Sequence, residues 1–414
     1  MHSQGGKKRM AISQKLDRQI VPALFIALLT MLFSPFLSLA ADEGKKPVII
    51  GFDAEQGNLT STSDDAIRIG ILTAIHEINA AGGVLDGRPL ELVVKDNRSV
   101  PARGIRNIEE FAEIPDLVAV MSGKFSPVVL DEIPILHEKK IILLDPWAAA
   151  DPIVENGHSP NYIFRLSLTD SWAIAAMLDY AVRKGAKKLT VLLPTTGWGR
   201  SSEKAIKSHL PTHPELSITT TLWYMWGSKF LSDKYEAARK SGADVVILVA
   251  NESEGSIFVQ EMAALPQDQR LPVISHWGVA GGDFAKMTGD SLNQIDFSVV
   301  QSYSFFDNRR EHKLKQFYQT AGQLFSINKA GDIISPVGVA HAYDLTHILA
   351  LAINQAGTTE RSLIRDALEQ VQNYEGLIKN YPRPFTPERH EALEAGDVFM
   401  CRFQINGNIL RIKE

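Results

Sequence analysis

From Pro47 almost to its end, the chain alternates short apolar runs with segments of helical periodicity. The run "VIIGF" (48–52) reads as a buried strand. The stretch 64–83 then carries Ile67, Ile71, Ala74, Ile75 and Ile78 at helical spacing before Gly82 and Gly83 end it. "LELVV", "LVAVM" and "IILLD" continue the series, separated by helical segments near 102–112 and from about Pro127. Strand–helix–strand order of this kind calls for a parallel sheet with helices on both faces.

The pattern then restarts. A helix over 171–183 leads to "LTVLL" and a glycine loop, and "SITTTLWY", "DVVILVA", "LPVIS" and "FSVVQSY" supply further strands with helices between them. Two more helices, 311–324 and 337–356, and a late strand pair joined by Asn406-Gly407 complete the chain. This predicts an α/β fold of two doubly wound, Rossmann-like lobes. The chain is expected to cross between them near Arg165, Ser302 and Tyr374. The lobes then span 46–165 plus 302–374 and 166–301 plus 375–414.

Residues 1–40 stand apart. Lys7, Lys8, Arg9, Lys15 and Arg18 precede an apolar run from Val21 to Leu39, and Ser38 and Ala40 occupy the positions a signal peptidase reads. The pattern predicts a signal peptide cleaved after Ala40 and a protein exported to a bacterial periplasm. Pro22, Pro35 and the small-residue exit weigh against a retained membrane anchor. Removing this segment, with five basic residues and one acid (Asp17), takes the formal charge from −5 to −9. An acidic exported protein has no electrostatic footprint for nucleic acid. Cys401 is the only cysteine, so neither an intrachain disulfide nor a cysteine-based metal site can form. Beyond the leader, no apolar run reads as long enough to span a bilayer.

In open α/β sheets, ligands bind beyond the carboxyl ends of the strands. That rule selects five loops here: "DAEQGN", "GKFSP", "PWAAA", "TTGWG" and "HWGVAGG". Trp147, Trp198 and Trp277, three of the six tryptophans, fall in them. Three tryptophans at strand exits fit the walls of a cleft better than three independent core positions. In "GKFSP", Ser126 before Pro127 reads as an N-cap serine with proline at the first helical position. A helix N-terminus at a strand exit is also an anion site, so Ser126 is expected to cap the helix in the empty protein and to bind a ligand carboxylate in the closed one.

Enzyme motifs are missing. The sequence holds no G-x-S-x-G elbow, no G-x-x-x-x-G-K-[ST] loop and no H-E-x-x-H. "GWGRSS" carries two glycines of the dinucleotide fingerprint, but that reading needs an acid about 20 residues on. The segment 216–226 contains none. His341 and His347 face different sides of a helix, so with Asp344 they read as core or surface residues. No cofactor, metal or catalytic residue is expected.

The ordered segments "AIHEINAAGGVLDGRPLELVVKDNRSVPARG", "YIFRLSLTDSWAIAAMLDY", "GAKKLTVLL", "GWGRS" and "AHAYDLTHILALAINQAG" resemble the type I periplasmic binding proteins. The similarity is to the branched-chain amino acid (leucine/isoleucine/valine) branch, and it covers Pro47 to about Tyr374. The resemblance implies two lobes on a three-stranded hinge that close on a small ligand and deliver it to an ABC importer. It implies that Ser126 binds the ligand's α-carboxylate and that Trp198 replaces an aromatic, usually tyrosine, before a glycine. Where the family offers an alanine carbonyl and a threonine hydroxyl, this chain reads Trp147-Ala148-Ala149. Trp277 stands where amino-acid binders often carry the acid that pairs with the ligand's ammonium. Asp53, Glu55, Glu252 and Glu254 are the alternative acids. A ligand without a free ammonium, either an aromatic acid or a quaternary ammonium held by cation–π contacts, is equally open at this point. The candidate ligand-binding set is Phe125, Ser126, Trp147, Ala148, Ala149, Trp198, Glu252, His276 and Trp277. The expected partners are a small amino acid, amide or aromatic carboxylate and the membrane permease subunits of an ABC importer. The same fold also serves periplasmic sensors that report to a receptor or regulator.

Overall fold

A computed structural model describes residues 45–57 and 62–413. The leader and its cleavage site lie outside the described residues. The first sheet is built from β1 (Val48–Ala54), β2 (Leu90–Asp96), β3 (Leu117–Ser122), β4 (Ile142–Asp145) and β5 (Ile163–Arg165). Between them run α1 (Thr62–Ala80), α2 (Pro101–Ala112) and α3 (Ser126–Glu138). The strand order is β2-β1-β3-β4-β5, all parallel. Every residue of β1 and β3 is buried, as expected of strands covered by helices on both faces. The edge strand β2 carries Glu91, Lys95 and Asp96 and is only partly buried, which discourages pairing with another chain.

The second lobe repeats the scheme with α4 (Asp170–Arg183), β6 (Lys188–Pro194), α5 (Gly197–His209), β7 (Ser217–Tyr224), α6 (Ser232–Lys240), β8 (Val245–Leu248), α7 (Glu252–Ala263), β9 (Val273–Ser275), α8 (Phe284–Thr288) and β10 (Phe297–Gln301). The chain then returns to the first lobe as α9 (Glu311–Phe325), α10 (Pro336–Ala356) and α11 (Arg361–Leu368). A hairpin, β11 (Tyr374–Glu375) and β12 (Asn380–Tyr381), comes next, and the closing pair is β13 (Phe399–Phe403) and β14 (Ile409–Arg411). The second sheet has the order β14-β13-β10-β9-β8-β6-β7. In it β13 runs antiparallel to β10, and β14 antiparallel to β13. The chain therefore passes between the two halves three times: after β5, after β10, and before β13.

α10 corrects one reading of the sequence. It is long and apolar enough to cross a membrane, but 83% of its apolar window is buried inside the protein. It lies along α1 as a core helix, and Glu77 of α1 accepts hydrogen bonds from Tyr343 Oη of α10 and Gln316 Nε2 of α9, both at 2.6 Å. Asp344, close to His341 on the same helix, is fully buried and accepts bonds from Tyr374 Oη, Tyr381 Oη and the Leu377 and Ile378 amides. It pins the β11–β12 hairpin to α10. Among the described residues, no group of three His, Cys, Asp or Glu side chains could hold a metal.

Arg165 closes the first sheet. Its guanidinium is fully buried and grips Glu391 with two nitrogens, Nη2–Oε1 at 2.6 Å and Nε–Oε2 at 2.9 Å. The segment 390–392 runs parallel beside it: the Arg165 amide donates to His390 O, and the Ala392 amide donates to Arg165 O. Arg165 Nη1 also donates to the carbonyls of Ala148 (3.1 Å) and Ala150 (2.9 Å), which shapes the loop after β4.

Candidate functional site

The loops at the carboxyl ends of the two sheets meet in one cavity. Lys124, Phe125, Ser126, Pro127, Trp147 and Ala149 line it from the first lobe, and Trp198, Trp226, Asn251, Trp277 and Gly278 from the second. Its volume is about 10 Å³. That is room for about one water; the protein's own side chains fill the cleft.

Each wall has a local cause. β6 ends at Pro194, Thr196 caps α5 by accepting the Gly199 amide at 3.3 Å, and Trp198 projects from the first turn. A Cβ at Gly199 would lie 1.9 Å from the Pro194 carbonyl oxygen, so close backbone approach is what this position requires of glycine. The indole Nε1 of Trp198 donates to Asp170 Oδ1 at 2.9 Å, and His276 Nε2 faces the same oxygen at 3.1 Å. His276 Nδ1 accepts the Trp277 amide at 2.9 Å, which leaves the ring proton on Nε2, toward Asp170. Trp277 then crosses the cleft and lies 5.2 Å, centroid to centroid, from Trp147, at an interplanar angle of 31°.

On the first lobe, Asp145 Oδ1 accepts the amides of Trp147 (2.9 Å) and Ala148 (2.7 Å), which turns the chain sharply after β4. Burial raises the Asp145 carboxyl from the ordinary 3.8 to about 7, against the pull of Arg165. Asp64, at the start of α1, is also raised by burial to about 7, and Lys124 opposes the shift. It accepts the backbone amides of Glu55 and Lys124 and so fixes the loop that carries Lys124.

Lys124 Nζ reaches across the cleft to Glu252 Oε1 at 2.9 Å, with the two side chains only 2% and 1% exposed. It also sits 4.7 Å from the centre of the Phe125 ring, which in turn contacts Trp226 at 4.8 Å. The ion pair and the rings contribute unequally. A buried ion pair gives little net stability after desolvation, whereas burying a tryptophan removes roughly 150–250 Å² from water, worth about 4–6 kcal/mol at the usual coefficient as an upper figure. Ring burial therefore contributes more than the ion pair to holding the lobes together.

Six of the nine residues expected at the site line the cavity: Phe125, Ser126, Trp147, Ala149, Trp198 and Trp277. The other three stand behind its wall. Ala148 is held by Asp145 and Arg165, Glu252 by Lys124, and His276 supports Trp198 and Trp277. The capping role expected of Ser126 is corrected. Phe125 is the N-cap, with extended backbone and no side-chain cap, and Ser126 and Pro127 are the first two helical residues. Ser126 Oγ instead accepts the Ala150 amide at 3.3 Å. Of the alternative acids, Asp53 is held under the sheet by Asn97 and Asn107, both at 2.6 Å, and Glu254 accepts the Gly227 amide at 2.7 Å. Lys124, Pro127, Trp226, Asn251 and Gly278 line the cavity as well and fall outside the expected set. Lys124 has a visible signal, being the sole cation within a loop that the strand-exit rule selects.

A family model described as periplasmic binding protein matches residues 48–404. The chain is a periplasmic binding protein. Solved relatives share its fold at low identity. A periplasmic binding protein type 1 from Bordetella pertussis Tohama I has a TM-score of 0.80 at 18% identity, over 89% of this chain and 100% of that one. The branched-chain amino acid transporter substrate binding protein LivJ from Streptococcus pneumoniae, in complex with isoleucine, has 0.73 at 19%, over 88% and 98%. A solute binding protein of an ABC transporter from R. palustris, in complex with 4-hydroxybenzoate, has 0.74 at 18%, over 89% and 96%. No curated protein matches the sequence.

Within this binding protein, the tryptophans do two things at once. Trp147, Trp198 and Trp277 line the cavity and also belong to one continuous apolar cluster that runs through both lobes. The cleft is thus an extension of the core.

Proposed function

We propose that this binding protein is the substrate-binding component of an ABC importer and holds a small carboxylate-bearing solute between its lobes. The observation that carries the reading is the convergence of loops from both lobes on one cavity, with Ser126 and Lys124 beside tryptophan rings. The lobes part about the three connecting segments, the solute enters, and closure buries it. Ser126 Oγ and Lys124 Nζ are the groups suited to a carboxylate, and the rings cover an apolar body. The protein acts by binding alone, and the closed form is what the permease subunits recognise.

We place the third crossing after Ala392 instead of near Tyr374. The support is the pairing of 390–392 beside Arg165 and the membership of β13 in the second sheet. The lobes then run over 46–165 with 302–392 and over 166–301 with 393–414. The leader residues 1–40 are proposed to be removed on export, in line with the family's periplasmic setting.

The test is a thermal-shift screen of amino acids, amides and aromatic acids, with mass-spectrometric identification of any co-purifying small molecule. A bound solute raises the unfolding temperature by mass action. A protein that no solute stabilises, and that carries none from the cell, is not a solute-binding component.

A further inference from the structure

We infer that the protein carries a second binding site, for a phosphate-class oxyanion, in a basic cavity where two of its three chain crossings meet. The site shares no lining residue with the cleft, so the inference stands apart from the solute that the cleft holds.

The cavity has a volume of about 370 Å³, within the range of small-ligand pockets. Residues that follow β10, from Ser302 to Arg310, and residues that lead into β13, from Gly396 to Phe399, form two of its sides. Lys379, in the β11–β12 hairpin, and Arg411, on β14, come from opposite lobes under the boundaries proposed above. Four cations line the cavity, Arg309, Arg310, Lys379 and Arg411, against two carboxylates, Asp307 and Asp397. This surplus of two positive charges sits in a chain whose formal net charge is −5, so it is a local concentration against the overall sign.

Of the four cations, only Lys379 has an ion-pair partner among the described residues, Asp397. Arg310 donates through Nη2 to Asn380 Oδ1, while its Nε is buried and has no hydrogen-bond partner among the described residues. A buried donor in that state calls for an acceptor that the chain itself does not supply. Arg411 sits over the Phe399 ring, 4.3 Å from its centre. Such stacking holds a guanidinium by its face and leaves the N–H edge to an oxyanion. Guanidinium forks suit a phosphate group, whose oxygens take several N–H donors at once, whereas a halide offers no such geometry. Because the cations come from both lobes, a bound oxyanion would tie the lobes together beside the crossings.

The experiment is isothermal titration of the chain lacking residues 1–40 with inorganic phosphate, and with chloride at matched ionic strength, in a phosphate-free buffer without any cleft solute. Phosphate is expected to bind at a single site and chloride at least about tenfold more weakly. R309Q/R411Q changes two exposed residues and keeps polar side chains, so its unfolding temperature without phosphate should match the wild type. It is expected to weaken phosphate at least about tenfold, the scale of a lost hydrogen bond to a charged group. D397N releases Lys379 and is expected to tighten phosphate about two- to fivefold, the worth of an exposed ion pair. Vesicles of phosphatidylglycerol separate two sources of the same chemistry. Capture by the wild type and not by R309Q/R411Q assigns the site to a lipid headgroup, and phosphate binding without capture assigns it to a free ion. Failure of both phosphate and vesicles to bind, chloride binding as tightly as phosphate, or affinity unchanged in R309Q/R411Q overturns the inference. Each of these leaves the cleft reading standing, because that reading is tested with other solutes at another cavity.

Discussion

Trp147 of the first lobe and Trp277 of the second lie 5.2 Å apart across the cleft at a tilt of 31°, so the protein's own rings fill the cavity proposed to hold the ligand. An aromatic solute that enters must part them. Tryptophan emission is therefore expected to shift on ligand binding, and most of the shift should vanish in W277F. W277L, which removes the ring, should also lose about 0.5–1.5 kcal/mol of stability beyond its smaller burial, the range for such ring pairs. A full-size emission change in W277F would mean that the signal arises elsewhere.

Arg165 and Glu391 form a two-pronged ion pair at the edge of the first sheet, with Arg165 wholly buried. Glu391→Ala removes the only carboxylate that forms a salt bridge with this buried guanidinium among the described residues. The expected loss is about 3–5 kcal/mol, read as a lower urea midpoint. A change within about 0.5 kcal/mol, the range of ordinary surface substitutions, would show that water reaches the guanidinium.

Asp145 gives a pH dependence with a defined sign. Burial raises its carboxyl from 3.8 to about 7, so the folded protein holds this proton at pH values where the unfolded chain has released it. Its contribution is most favourable below about pH 4 and declines as pH rises toward 7. D145N keeps an oxygen to accept the Trp147 and Ala148 amides of the turn but does not titrate. Between pH 5 and pH 8, D145N should gain on the wild type by about 1–3 kcal/mol, measured by denaturation at both values. Parallel pH profiles for the two proteins would remove Asp145 from the account.

Ser126 Oγ accepts the Ala150 amide at a long 3.3 Å, a weak bond whose loss costs little in the empty protein. S126A should leave the unfolding temperature nearly unchanged and weaken a carboxylate ligand by about 1–3 kcal/mol. Calorimetry on the variant decides it: unaltered affinity with lowered stability would make Ser126 a structural residue only.

Gly278 is fixed by its neighbours. A Cβ there would lie 2.4 Å from the Ala250 carbonyl oxygen and 2.6 Å from Trp198 Cη2. G278A must displace the ring or the strand exit, at about 1–3 kcal/mol. Lower stability together with weaker ligand binding is the expected pair of results; wild-type values for both would show that the wall yields easily.

Much of this arrangement is legible locally. Most central strands follow from short apolar runs such as "VIIGF" and "DVVILVA", because burial on both faces favours apolar side chains. Trp147, Trp198 and Trp277 are found by the rule that strand exits build sites. What escapes a linear reading depends on distance along the chain. Lys124 and Glu252 are 128 positions apart, and nothing near either one announces the other. Serine before proline is a common helix start and so points to Ser126 as the cap, while here the chain turns at Phe125, one residue earlier. Trp226 lies two residues beyond the end of β7, a strand exit outside the five selected loops, and it comes to rest against Phe125.

Arg165 ends the strand from which the chain leaves the first lobe, and through Nη1 it also grips the carbonyls of Ala148 and Ala150 beside the cavity. A lever and the jaw it drives therefore share one part. Under the proposed hinge motion, rotation of the lobes about this strand would pull on the wall of the cavity, so changes at this residue would be expected to alter affinity and ease of opening together.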